Sequence, residues 1–419
     1  MRVLLSTIGS RGDVQPLVAL AVELRALEQD VRLCVPPDFQ DWIEALGFPV
    51  VPIGPELRKA MAAAPASGPP APPSPERRRQ LADATVAVQF VTLAAAAQGC
   101  DLIVAAAALQ IAARSVAERL GIGYVFAAYC PAVLPSPYHP PPVLPGVPGQ
   151  PDPAAADNGA LWDRDAERFA DAFGAALNSH RAAMGLAAVD DVRGHVFTNC
   201  PFLAADPVLA PWPEPESQTV TQTGAWLFAD DRPLDHELSA FLDAGEPPVY
   251  FGLGSMRAPQ DLALVMLQAA RAAGRRAIVS RGWAGVSVVD GQASDGASAE
   301  AADWIVIDDV AHAALFKRVA AVVHHGGAGT TTTAALAAAP QVIIPQFYDQ
   351  PYWAKRVQQL GIGHAHAPGL PTAASLATAL DEALHPDVAA RAAEVAKTMR
   401  RDGARDAAGR LLRGTFRAS

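Results

Sequence analysis

His324-His325-Gly326-Gly327-Ala328-Gly329-Thr330 is the stretch that decides how this chain is read. The apolar run Val319-Ala320-Ala321-Val322-Val323 leads into it. Thr331-Thr332-Thr333-Ala334-Ala335-Leu336 leads out of it as a helical pattern that Pro340 stops. A strand, a glycine-rich turn and a helix N-terminus in that order build an anion site. Glycines let the backbone approach closely, and the unpaired N–H groups and helix dipole favour phosphate. The two histidines at the strand end add donors aimed at the same anion, so the stretch predicts a phosphorylated ligand on an α/β sheet.

The same alternation extends in both directions. Strand patterns at 2–6, 31–35, 50–53, 102–105 and 124–127 alternate with helical patterns at 16–27, 39–46, 77–98 and 109–120. After a gap, strands at 249–253, 276–280, 304–307, 320–323 and 341–345 alternate with helices at 262–273, 312–316 and 329–338, and helices at 351–360, 374–384, 388–400 and 405–412 close the chain. Repeated βα units imply parallel sheets covered by helices on both faces. In the gap, from 206 to 248, the helical pattern lapses around Pro207, Pro211, Pro213, Pro215 and Pro233. The chain is therefore expected to form a first lobe at 1–205, a linker at 206–230, a second lobe at 231–400 and a C-terminal helix at 401–419 that crosses back to the first lobe. Its 419 residues suit two domains, each with its own core.

Lys and Arg total 33 against 43 Asp and Glu, and the net charge of −10 argues against nucleic acid as a partner. The arginine-rich stretch 400–417 reads as a solvated face of terminal helices. Cys34, Cys100, Cys130 and Cys200 show no CxxC spacing and read as free, buried thiols in a reducing compartment, with no zinc site. The N-terminus lacks a signal-like apolar region, and 102–109 is too short to span a bilayer. A cytoplasmic protein with at most peripheral membrane contact is expected.

Several strand ends carry candidate chemistry. Gly9-Ser10-Arg11-Gly12-Asp13 follows the first strand without the GxGxxG glycines, so nicotinamide and flavin binding are not supported. Asp13 is either a first-turn helix acid or a general base for an attacking hydroxyl. Gly252-Leu253-Gly254-Ser255 offers a hydroxyl and backbone N–H groups, or is a plain turn. Trp283 is a core plug or a ligand-contacting ring. The turn through Asp308-Asp309-Val310-Ala311-His312 offers its backbone to a nucleobase edge or is structural. Asp349-Gln350-Pro351 is a helix cap, or an acid–amide pair that grips vicinal sugar hydroxyls. Asp163-Arg164-Asp165 has the form of a metal-binding D-x-D but lies in a helix-like stretch, where a solvated face is expected and no metal. Proline-rich segments at 61–75 and 131–153 follow strands and should lie over the carboxyl edge of the first sheet.

Read together, these motifs resemble the family-1 glycosyltransferases of the GT-B fold. More narrowly they resemble the bacterial branch of glycopeptide-antibiotic transferases (vancomycin and teicoplanin type) and sterol-glucosyltransferase-like enzymes. Further pieces are Pro16–Ala21, Arg114-Ser115-Val116-Ala117-Glu118, Pro135-Ser136-Pro137-Tyr138, Leu177-Asn178-Ser179-His180-Arg181, Ala204-Ala205-Asp206-Pro207 and Gln222-Thr223-Gly224-Ala225-Trp226. The resemblance implies two Rossmann-like, doubly wound parallel-sheet lobes facing a central cleft, acceptor in the first and nucleotide-sugar in the second. It implies an inverting, metal-independent and cofactor-free hexosyltransferase, a monomer, that moves a hexose or deoxyhexose from a dTDP- or UDP-sugar to a hydroxyl of a hydrophobic, lipophilic or aromatic small molecule. Asp13 and Asp349 match catalytic positions, Asp13 as the base. Ser10, Arg11, Gly12, Ser255, Trp283, Val310, His324, Gly326, Gly327, Gly329, Thr330, Asp349 and Gln350 match the nucleotide-sugar site, with His324 on phosphate and Asp349-Gln350 on the sugar. Pro135, Tyr138 and His139 match the acceptor side. A nucleotide-sugar 2-epimerase would share the fold but need no bulky acceptor loops. A catalytically silent nucleotide-sugar-binding partner would be expected to lose Asp13, His324 or Asp349.

Overall fold

The computed structural model describes residues 1–62, 74–143, 157–213, 219–255, 261–283, 303–414 and 416. The proline-rich segments expected over the first sheet lie outside the described residues at 63–73 and 144–153, as does Pro215. The chain forms two compact units, 1–228 with 400–419 and 229–399.

The first unit holds strands β1 (Arg2–Thr7), β2 (Asp30–Val35), β3 (Val50–Pro52), β4 (Leu102–Ala106), β5 (Gly123–Ala128), β6 (Phe202–Leu203) and β7 (Thr221–Gln222) in the order β3-β2-β1-β4-β5-β6-β7. The second holds β8 (Val249–Gly252), β9 (Ala277–Ser280), β10 (Trp304–Ile307), β11 (Ala321–His324), β12 (Gln341–Ile343) and β13 (Gly363–Ala365) in the order β10-β9-β8-β11-β12-β13. Every pairing is parallel. Both sheets are thus doubly wound, and in each the strand order reverses beside the first strand, between β1 and β4 and between β8 and β11. Ligands of such sheets bind outside the carboxyl ends of the strands at that reversal.

The apolar runs become strands because both faces of each sheet are covered. In the second unit Val249, Phe251 and Val323 pack on one face with Met266, Leu267, Leu376 and Leu380 from helices Leu262–Ala272 and Ala373–Ala383. Tyr250, Ile278 and Val322 point the other way, onto Phe241, Leu315 and Phe316. The period of two along β8 sends alternate side chains to separate cores.

Part of the stretch expected as a linker is built into the first unit. β7 extends its sheet, and Ala205, Asp206, Leu209, Ala210, Trp212 and Trp226 are buried. The Gln222 side chain donates to the carbonyls of Ala205 and Ala210, both at 2.9 Å. The C-terminal helix Gly403–Arg413 also belongs to this unit, and a Cβ at Gly403 would stand 2.4 Å from the Ala225 carbonyl oxygen. Helix His236–Asp243 lies where the helical pattern was read as lapsing. Asp235 caps it, its carboxylate accepting the Leu238 N–H at 2.7 Å. Among the described residues, no helix is long and apolar enough to cross a membrane.

Candidate active site

In the second unit the loops after β8, β9, β11 and β12 meet at the carboxyl edge. His324, the last residue of β11, pairs with Gly252 of β8 on one side and Ile343 of β12 on the other, which sets the glycine loop at the strand-order reversal. Gly326 has φ +93, and a Cβ there would stand 2.8 Å from Ile343 Cγ2, so only glycine lets the chain turn this close to β12. Helix Ala328–Leu336 follows at once, with Gly327 as its N-cap. Gly329, in its first turn, is exposed, and a Cβ there would meet nothing within 4 Å. The hydroxyls of Thr331, Thr332 and Thr333 donate back to the carbonyls of Gly327, Ala328 and Gly329 at 2.8–2.9 Å. Thr330 makes no such bond among the described residues, so its hydroxyl and the first-turn N–H groups are the polar groups this helix end can offer an anion.

His324 corrects an expectation. It was read as a phosphate contact, but it is fully buried and both ring nitrogens are engaged within the chain. Nδ1 accepts the Gly326 N–H at 3.1 Å, which leaves the proton on Nε2 to donate to Gln341 Oε1 at 2.9 Å. Burial, reinforced by the neighbouring His325 and opposed by the Gln341 bond, pushes its pKa down to about 3. His324 is therefore a neutral brace that shapes the glycine loop. His325 is the histidine beside the loop. A Cβ at Gly254 (φ +61) would stand 2.9 Å from its Cε1, and one at Gly327 would stand 2.7 Å from its Nε2. Its Nδ1 is buried with no hydrogen-bond partner among the described residues, and burial pushes its pKa down to about 4.

The neighbouring turns lock to this edge. Trp283 N–H donates to the Gly254 carbonyl at 3.0 Å, and a Cβ at Gly282 (φ +54) would stand 2.4 Å from that oxygen. Trp283 and Ser255 are half-buried, so Trp283 does not plug the core. Val310 packs against the core cluster of Tyr250, Leu315 and Phe316, which leaves its backbone as the part that can face a ligand. His312 bonds the Tyr250 hydroxyl at 3.0 Å.

Asp349 stands at the N-cap of helix Gln350–Gln359 but makes no capping bond, and its backbone is already helical (φ −83, ψ −11). Its Oδ2 instead accepts the indole N–H of Trp353 at 2.9 Å. Burial pushes its carboxyl up to about 6, opposed by the Trp353 bond and by its own N–H. Gln350 is buried, and its Oε1 accepts the N–H groups of Gln346 and Phe347 at 2.8 and 3.2 Å. That carbonyl oxygen thus pins the turn before Asp349. Tyr348 within that turn has φ +59, a strained value for a non-glycine residue. Gln341 and Trp353, which hold His324 and Asp349, were not singled out from sequence. The one available signal was a polar Gln341 opening an otherwise apolar strand.

In the first unit the loop after β1 presents Asp13. Helix Arg11–Ala26 begins there, five residues before the expected start at Pro16. Asp13 Oδ2 accepts the Ser10 N–H at 2.8 Å and faces the Ser10 hydroxyl at 3.4 Å, so it does serve as a first-turn acid. A Cβ at Gly9 would stand 2.2 Å from Oδ2, which explains the glycine. The Tyr129 hydroxyl donates to the Asp13 carbonyl at 3.0 Å. Arg11 bonds Gln15 at 2.9 Å with its guanidinium 4.7 Å above the Trp42 ring, and Gly12 is exposed.

On the expected acceptor side Pro135 is half-buried and Tyr138 is 67% exposed. His139 is mostly enclosed, edge-on to Trp162 and Trp212, and burial lowers its pKa. Its Nε2 and the Trp212 indole nitrogen are buried without partners among the described residues. The D-x-D corrects another expectation: Asp165 is buried and paired with Arg168 and Arg193, while Asp163 alone is solvated. Cys200 is exposed, unlike the other three cysteines. Arg114, Ser115, Glu118, Arg181 and His195 form one buried polar network. Arg181 donates to Ser115 Oγ at 2.8 Å and pairs with Glu118 at 2.6 Å. Ser115 lies 3.0 Å from His195, but with Ser115 fully buried and His195 buried this arrangement is structural.

Two doubly wound sheets, one with a glycine loop and helix N-terminus at its strand reversal and one with an acid at the equivalent loop, are the build of a GT-B glycosyltransferase. The chain belongs to the GT-B-fold natural-product glycosyltransferases, as its resemblance implied. Residues 3–136 match the glycosyltransferase family 28 N-terminal domain, and residues 286–408 match the erythromycin biosynthesis protein CIII-like C-terminal domain. The chain is 48% identical over 414 residues to the vancomycin aglycone glucosyltransferase of Amycolatopsis orientalis, covering 98% of this chain and 97% of that one. It is 42% identical over 403 residues to the dTDP-epi-vancosaminyltransferase of the same organism, covering 94% and 93%. Among solved structures it is similar in fold to the glycosyltransferase VinC in complex with dTDP, with TM-score 0.66, 20% identity and 99% of both chains covered.

Proposed function

We propose that this enzyme moves a hexose or deoxyhexose from a dTDP- or UDP-sugar to a hydroxyl of a glycopeptide-type aglycone, with inversion and without a metal. The observation that carries the reading is the glycine loop at the β8/β11 reversal, with an exposed first-turn Gly329 and the uncommitted Thr330 hydroxyl. The acceptor class rests on the similarity to the vancomycin aglycone glucosyltransferase, and dTDP on what the VinC structure binds. In this reading the first unit takes the acceptor and the second the nucleotide-sugar. The acceptor hydroxyl gives its proton to the Asp13 carboxylate as its oxygen bonds to the anomeric carbon. The bond from that carbon to the diphosphate breaks, and its electron pair leaves on the phosphate oxygen. The helix N-terminus at Gly327–Thr330 and the neighbouring His325 stabilise that growing charge. Asp349 accepts hydrogen bonds from the sugar.

Because Asp13 is both a helix first-turn acid and the base of this reading, the test uses Asp13→Asn, which keeps an acceptor oxygen for the Ser10 N–H but has no basicity. Turnover of vancomycin aglycone with dTDP-glucose or UDP-glucose, read by mass spectrometry, should fall about 10²–10⁴-fold with an unchanged melting temperature. Wild-type turnover by a folded Asp13→Asn variant would overturn the role of Asp13. No glycosylated product from any dTDP- or UDP-hexose with this aglycone would overturn the acceptor class.

A further inference from the structure

A capping aspartate ties its carboxylate to the first N–H groups of its helix, which fixes it close to the backbone. Asp349 occupies the capping position and does not do this. Its carboxylate runs along the helix for one turn to Trp353, whose indole is 1% exposed and whose N–H is a donor with no acceptor role. The two sides of the acid are held by different means. The turn before it is pinned by Gln350 Oε1 and includes the strained Tyr348, while Oδ2 is fixed by the indole. Among the described residues Oδ1 receives no hydrogen bond from another residue; the further donor to the carboxylate is Asp349's own backbone N–H. Resting on the reading of Asp349 as the sugar-contacting acid, we infer that Trp353 is a positioning residue for the nucleotide-sugar: its indole N–H holds one carboxylate oxygen of Asp349 so that the other meets a sugar hydroxyl.

The burial of Asp349 fits this arrangement, since an acid with no charged partner contributing to its raised pKa depends on neutral donors to stay ionised. A purely structural tryptophan, satisfied by whatever acceptor lies nearby, would act on the fold of the unit as a whole. A positioning tryptophan acts only on ligands that carry the sugar.

The experiment is titration calorimetry of the full chain with dTDP-glucose and with dTDP, which lacks the sugar. Trp353→Phe should weaken dTDP-glucose about tenfold, the scale of a lost hydrogen bond to a charged group, and leave dTDP within error of wild type. Asp349→Asn should also weaken only dTDP-glucose, and Trp353→Phe added to it should cost nothing more, because the indole acts through the acid. Asp349→Glu, which keeps the charge but moves it off the indole, should lose the sugar increment too, and serves if Trp353→Phe fails to fold. If Asp349→Asn removes the sugar increment while Trp353→Phe leaves it intact, or weakens dTDP equally, the positioning role is overturned and the sugar-contact reading survives. Retention of the sugar increment by Asp349→Glu has the same force against positioning. If Asp349→Asn binds dTDP-glucose as the wild type does, the sugar-contact reading itself falls, and the inference with it.

Discussion

The neutral brace at His324 makes a prediction about acid stability that can be followed through in numbers. Its folded-state pKa is about 3 against an ordinary 6.5, so between those values the unfolded ring binds a proton that the folded ring refuses. Stability from this group is present above pH 6.5 and drains away as the pH falls toward 3. From pH 7 to pH 5 that amounts to about 2 kcal/mol, at 1.36 kcal/mol per pH unit once the unfolded ring is protonated. His324→Gln removes the titration. The variant starts less stable at pH 7, because the two bonds that the rigid imidazole makes to Gly326 and Gln341 are lost. It should nevertheless lose about 2 kcal/mol less than wild type on going to pH 5. In urea this is a difference of about 1 M in how far the midpoint moves. The two units need not unfold together. Tryptophan fluorescence should therefore be read in a background where the first unit's Trp42, Trp162, Trp212 and Trp226 are replaced by Phe, leaving Trp283, Trp304 and Trp353 in the second. His325 adds an acid-labile contribution of the same sign in both proteins and cancels from the comparison. Parallel pH dependence in wild type and His324→Gln would refute the argument, because it would mean that the folded ring takes its proton near the ordinary pKa.

Two further outcomes are expected. Gly9→Ala places a methyl 2.2 Å from the position of Asp13 Oδ2, so the carboxylate must swing away; turnover should fall at least about 10²-fold in a protein that still folds, and steady-state kinetics within about threefold of wild type would show that the loop absorbs the methyl at no cost to the acid. Asp165→Asn leaves Arg193, whose side chain is 10% exposed, without its carboxylate; urea unfolding should report a loss of about 3–5 kcal/mol, and an unchanged midpoint would show that the Trp162 carbonyl alone satisfies that guanidinium.

What could be read from the sequence followed from local pattern. β1, β4, β8 and β11 are apolar runs ending in glycine or alanine turns, and a run of that kind declares itself without knowledge of its neighbours. β6 and β7 are two residues each, too short to show any period, and so their stretch passed for loop and linker. Gly363 in β13 reads as a breaker, yet a Cβ there would stand 2.0 Å from the Gln341 carbonyl, and only the paired sheet reveals that glycine is required. The site shows the same limit. The sequence marks which residue types lie at strand ends, but the direction of a ring nitrogen depends on contacts made elsewhere. His324 turns inward because Gln341, 17 residues away, meets it from the neighbouring strand β12. Asp349 makes no capping bond, and its carboxylate instead accepts the indole N–H of Trp353 one turn on.

The return of residues 400–419 to the first unit has a consequence for how the protein is made. The second unit, 229–399, is a continuous stretch set between two parts of the first. On the ribosome the first unit emerges early but lacks the helix whose Gly403 nests against Gly224 and Ala225. The second unit has its whole sequence available before that helix appears. The unit begun before the other is thus completed after it, and until the helix Gly403–Arg413 emerges it must keep open the surface on which that helix docks.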